Sequence, residues 1–206
     1  MMKAELKYNS LLGVLIPLFL VSSVDGQRKT DSLNACWLIT HTVSHQFIIK
    51  NARKIVSDGD ENCVIAFLDK LTDSSFGRNY TIYFETLSAV QQVSDGFISE
   101  YFNEIGARLF HKNFDKLFNF MYKKQSRFDS PIEKVIIEAV GDEIADSENH
   151  HNEKLKINEF LGLKKKQMTL SPDQSAYLDR LKDEIFKFSE SQQFINSELP
   201  ICSGLE

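Results

Sequence analysis

His41 and His45, four residues apart in His41-Thr42-Val43-Ser44-His45, are the first residues in this chain that could do chemistry. On one helix that spacing brings both imidazoles to the same side, where they could share a zinc ion. A zinc hydrolase of this pattern carries a glutamate general base beside the first histidine; here that place is Thr42. No third ligand is evident, so the pair reads as two helix-edge side chains. His150 and His151, flanked by Glu148 and Glu153, point to different sides of a helix and offer no preformed site. Asp58-Gly59-Asp60-Glu61-Asn62 puts oxygens at the first, third and fifth places of a calcium loop. Such a loop needs glycine sixth and a bidentate glutamate twelfth, and it meets Cys63 and Asp69 instead. A helix–helix turn explains the same residues. No metal and no cofactor is expected. There is no GxSxG elbow for a nucleophilic serine. Asp142-Glu143 and Lys164-Lys165-Lys166 lie in charge runs that read as solvated. No catalytic residue is assigned, and the chain reads as non-enzymatic.

Apolar chemistry is more evident. The chain holds 16 phenylalanines, and they crowd between 97 and 128 with Phe120 and Phe128 among them. At helical spacing such rings either line a pocket between helices or fill a core. Phe97, Tyr101, Phe102, Phe110, Phe114 and Phe118 are the candidate ligand-binding residues, lining a Phe-rich interhelical cavity for a small apolar molecule.

The start of the chain bears on compartment. Lys3 and Lys7 precede an apolar run over 11–21, and small side chains follow it up to Gly26. That order predicts a secretory signal peptide over 1–26, its apolar run too short to cross a bilayer, which takes about 20 residues. The remaining 180 of 206 residues keep a net charge of −5, which argues against nucleic acid as a partner. No later apolar run approaches a membrane span. Asn79-Tyr80-Thr81 is a glycosylation sequon, and its neighbours Ser74, Ser75, Gly77 and Arg78 read as an exposed loop. In an oxidising compartment Cys36, Cys63 and Cys202 permit one disulfide and leave one cysteine over, either buried or joining two chains into an oligomer.

The elements that must position these residues read as helices. Apolar residues recur at three and four, and strict alternation is almost absent. Leu33, Trp37, Phe47 and Ile55 share a stripe, which predicts one helix over 31–57. A straight helix there puts Cys36 roughly 30 Å from the far end, at 1.5 Å per residue. Cys63 opens the next helix beyond that end, so Cys36 and Cys63 are expected not to pair, and any intrachain bridge should use Cys202. A shorter helix over 63–71 and a polar loop over 72–79 follow. The pattern then runs unbroken from 80 to 124. As one helix it would span about 68 Å, against a radius of gyration of about 16 Å for a domain this size. It must bend or break, at Asp95-Gly96, near 111–115, or at both. Ser130-Pro131-Ile132-Glu133 and Ser171-Pro172-Asp173-Gln174 each read as a serine N-cap, proline at the first helical position and an acid or amide at the third. Between those helices, 142–169 reads as a charged linker holding one short helix around Leu155, Ile157, Phe160 and Leu161. The tail over 191–206 reads as irregular.

The expectation is a single all-α domain over 27–206, an irregular bundle of five to seven helices, secreted and extracellular. The leading functional expectation is a non-enzymatic binding protein carrying a small apolar ligand in the Phe-rich cavity. The alternative is an extracellular protein-interaction or signalling module with a solid core and no small-molecule ligand.

Overall fold

The computed structural model describes residues 35–73, 79–124 and 131–198. The expected signal peptide, Phe128, Ser130 and Cys202 lie outside the described residues. All those described belong to one compact unit, and their regular structure is entirely helical. In chain order they are α1 (Ala35–Thr40), α2 (His45–Ser57), α3 (Glu61–Asp73), α4 (Tyr80–Gln91), α5 (Gly96–Lys124), α6 (Pro131–Ala145), α7 (His150–Gln167) and α8 (Pro172–Glu198). Eight helices exceed the expected five to seven, chiefly because the first expected helix is two. Among the described residues no helix is long and apolar enough to cross a membrane.

The break in the first helix corrects the cysteine argument. The helix ends at Thr40, and Ser44 starts a new one, its backbone extended and its Oγ accepting from Phe47 N at 3.2 Å. Thr40, Thr42 and Val43 are β-branched, which weakens the helix just where the serine offers a competing cap. α1 therefore turns out of line with α2 and lies on α3. Cys36 and Cys63 form a disulfide with their Cα atoms 4.7 Å apart. The bridge through Cys202 was the wrong expectation, because the straight helix it assumed does not exist. Lys70 Nζ, from α3, caps the carbonyl end of α1 at Leu38 O (3.2 Å) and Ile39 O (2.9 Å).

The long run divides at both expected places. α4 ends at Gln91, and α5 starts at Gly96, whose φ of +47° is a left-handed conformation that glycine adopts at least cost. Within α5 the backbone leaves helical geometry at Asn113 (φ −128°, ψ 24°), so the helix kinks there. Ser171 and Gln174 cap α8 reciprocally: Gln174 N donates to Ser171 Oγ at 3.2 Å, and Ser171 N to Gln174 Oε1 at 3.0 Å. Pro131 opens α6 as expected.

Two other expectations are corrected. The charged linker is largely α7, capped by Asn149, whose side chain accepts from Asn152 N. Its Glu, Lys and Leu residues are good helix formers, and Lys164, Lys165 and Lys166 stand in its last turn, where positive charge meets the carbonyl ends. The irregular tail starts later than expected, because α8 continues to Glu198.

α6 is the centre of the second half and packs against α4, α5, α7 and α8. Its approach to α5 is close at Gly106, where a Cβ would stand 2.8 Å from Ala139 Cβ and 2.9 Å from Val135 Cγ1. Isoleucine and valine from α6 and the phenylalanines of α5 from Phe102 onward share one hydrophobic core with Leu and Phe side chains of α3 and α4.

Candidate functional site

The structure separates the six residues expected to line a cavity. Phe110, Phe114 and Phe118 come together on one side of α5, each at most 1% exposed. They meet rings from the last two helices. Phe160 of α7 lies 5.1 Å from Phe110 and 5.4 Å from Phe114, and Tyr177 of α8 lies 5.6 Å from Phe118, centroid to centroid. Phe110 and Phe114 meet edge to face at 5.3 Å. These are the separations of aromatic rings in direct contact. Phe102 is buried in the same core, whereas Phe97, at the start of α5, is 52% exposed.

Tyr101 does something else. Its hydroxyl donates to Asp69 Oδ1 at 2.6 Å, and Arg108 reaches both Asp69 (2.7 Å) and the Tyr101 oxygen (2.9 Å). Burial pushes the Asp69 carboxyl up, but hydrogen bonds from Tyr101 and Arg108 outweigh it and hold the group below its usual range. Burial and the Asp69 hydrogen bond push the Tyr101 phenol up. The three side chains tie α3 to α5 rather than face a ligand. Across the kink of α5, His111 Nε2 meets Glu143 Oε2 at 3.0 Å. That hydrogen bond raises the His111 pKa against the opposing effect of burial.

His41 and His45 no longer share a helix, yet both line one cleft of about 150 Å³ between the 41–44 break, α3 and α4. Leu38, Ile48, Phe67 and Leu71 supply its apolar wall, and Lys70 and Tyr83 add polar atoms. His41 stacks on Trp37 at 4.1 Å, with Nδ1 2.8 Å from Trp37 O. His45 Nδ1 lies 2.9 Å from Thr86 Oγ1, and Tyr83 packs edge-on against the ring at 4.2 Å. Burial lowers the His45 pKa. Sequence reasoning missed this cleft, because it treated 41–44 as continuous helix. Ser44, a serine preceded by two β-branched residues, was the available signal.

A second, shallower cleft, of about 370 Å³, is lined by Tyr122, Asp173, Ala176, Tyr177 and Arg180. Arg180 covers the Tyr177 ring at 5.0 Å while pairing with Glu133 at 3.1 Å.

Among the described residues no group of three His, Cys, Asp or Glu side chains is placed to hold a metal ion. In the calcium-like segment Asp60 Oδ1 accepts from Asn62 N at 2.9 Å and caps the turn into α3. His150 Nδ1 donates to Ile144 O at 2.9 Å, a carbonyl at the end of α6. The lysines of 164–166 are partly paired, Lys164 with Asp115 and Lys165 with Asp179, each at 2.8 Å. Asn79 is exposed at the start of α4, and its side chain makes no capping bond. Comparison with protein-family models, curated proteins and solved structures gives no match for this chain.

Proposed function

We propose that this chain is a secreted, non-enzymatic helical module whose aromatic cluster is solid core and whose partner, an extracellular protein, meets its outer surface. The observation that carries the reading is the mutual contact of Phe110, Phe114, Phe118, Phe160 and Tyr177, the arrangement expected of packed core side chains. The disulfide supports an oxidising compartment, and the exposed Asn79 sequon supports passage through the secretory route. A net charge of −5 argues against a polyanionic partner. The pairing of Asp69, Arg108, His111 and Glu143 into inter-helix ties supports a binding rather than a catalytic role.

Native mass spectrometry of the protein purified from secreting cells tests this. The expected mass is that of a chain beginning at Gln27, with one disulfide and one glycan removable by glycosidase. A co-purifying lipid in stoichiometric amount would overturn the solid core and restore the apolar-ligand reading. A chain starting at Met1 without glycan would overturn secretion. A small-molecule reading still has one observation in its favour, the cleft beside the 41–44 break.

A further inference from the structure

The hydrogen bonds around the first cleft set the tautomer of both its histidines. Thr86 Oγ1 donates its one proton to Ile82 O at 2.7 Å, so it accepts from His45 Nδ1 at 2.9 Å. His41 Nδ1 lies 2.8 Å from Trp37 O, a carbonyl that only accepts, and 2.9 Å from Thr40 Oγ1, which donates its own proton to Trp37 O at 3.2 Å. Both Nδ1 atoms therefore carry hydrogen, and in the neutral rings both Nε2 atoms are bare acceptors. Burial lowers the His45 pKa and so favours that neutral form. Thr86 is fully buried and is not among the residues that line the cleft, whereas His45 is.

Size and charge narrow what fits. A space of about 150 Å³ is the size that holds benzene. A carboxylate brings no donor to a bare Nε2. An amine cation would meet the ammonium of Lys70, held beside the cleft by Leu38 O and Ile39 O. A neutral hydroxyl on a single aromatic ring suits both the wall and the acceptor. We infer that this cleft binds a small monocyclic phenol, its ring against Leu38, Ile48 and Phe67 and its hydroxyl donating to His45 Nε2. Thr86 is a positioning residue that acts through His45. The inference goes beyond the interaction reading and does not rest on it.

The test is a titration of the mature, glycosylated protein with phenol and separately with toluene, followed by amide and imidazole nitrogen shifts. Phenol should move the amides of Leu38, Ile48, Phe67 and Tyr83. It should bind about five- to tenfold more tightly than toluene, the worth of one hydrogen bond. His45→Phe should bring that ratio to about one. Thr86→Val, a milder change, should mix the His45 tautomers in the nitrogen spectrum and reduce the ratio at least twofold. No response of those amides to millimolar phenol overturns the site. Equal binding of phenol and toluene by the unmodified protein, or a ratio unchanged in both variants, overturns the role of His45.

Discussion

Removing the Cys36–Cys63 bridge should destabilise the molecule strongly, and the size of the effect follows from the chain it closes. The cysteines are 27 residues apart. Closing a loop of that length removes about 3.5 kcal/mol of unfolded-chain entropy in the simplest model. For a domain of this size each 1 kcal/mol moves Tm by about 2–4 °C. Cys36→Ala with Cys63→Ala should therefore melt about 7–14 °C lower. The loss should be uneven. α1 has six residues, well short of the ~12–15 an isolated helix needs in water. Its other anchors include buried Ala35 and Leu38, the packing of Trp37 and Ile39 on the core, and the Lys70 contacts to its carbonyl end. Calorimetry of the double variant, with amide exchange on α1, measures both parts. Replacing both cysteines prevents either from re-pairing with Cys202. A Tm within 2 °C of the unmodified protein, with α1 amides as protected as before, would refute the reasoning, since neither the loop nor the helix would then depend on the bridge.

Gly106→Ala should cost about 1–3 kcal/mol in chemical denaturation, because the new Cβ lands 2.8–3.0 Å from Ala139 and Val135. Gly162→Ala, in α7 with nothing within 4 Å, should instead stabilise by about 0.4–1 kcal/mol. Ser171→Ala removes one half of the α8 capping box and should cost about 1 kcal/mol by the same assay. The two perturbed histidines should give stability of opposite pH dependence. Glu143 raises His111 above 6.5, so its contribution is complete below that pH and is lost as pH rises through the folded pKa. Burial lowers His45 below 6.5, so its contribution is complete above that pH and is lost as pH falls through the folded pKa. Denaturation midpoints between pH 5 and 8 should lose the first trend in His111→Gln and the second in His45→Gln; trends of the same sign would contradict one of the two assignments.

Local grammar was legible where one short segment holds the whole signal. The box at Ser171-Pro172-Asp173-Gln174 is complete within four residues, and both of its hydrogen bonds form. The divisions of the long run followed from comparing a helix length with the size of a domain, and they fall at Gly96 and Asn113. The break at 41–44 was hidden because α1 and α2 both turn apolar faces to the core, so the stripe reads as continuous across it. No glycine or proline marks it, only Ser44 and the β-branched residues before it. The helix expected around Leu155 to Leu161 is there, but the full length of α7 was hidden for the opposite reason: it buries only Ile157 and Leu161, so its hydrophobic pattern is faint among the charges. The phenylalanines were legible as a helical stripe but not as core or cavity. That choice depends on Phe160 and Tyr177, which arrive from helices 40 or more residues further along the chain.

The place of α6 also bears on the order in which the molecule assembles. Its contacts with α5 join neighbouring helices, so they close over short loops and form early. Its other extensive contact is with α8, so α5, α6 and α8 are the expected three-helix nucleus. Substitutions at Val135, Ala139 or Ile144 should mainly slow folding, with the rate falling in step with stability. Those at Ala35 or Leu38, in a helix that docks late, should leave the folding rate alone and hasten unfolding. Where an unfolded chain is lost before it can refold, the lifetime of the folded protein depends on that unfolding rate. The bridge between Cys36 and Cys63 lies on α1, the element expected to come away first, and there it should extend the life of the folded chain.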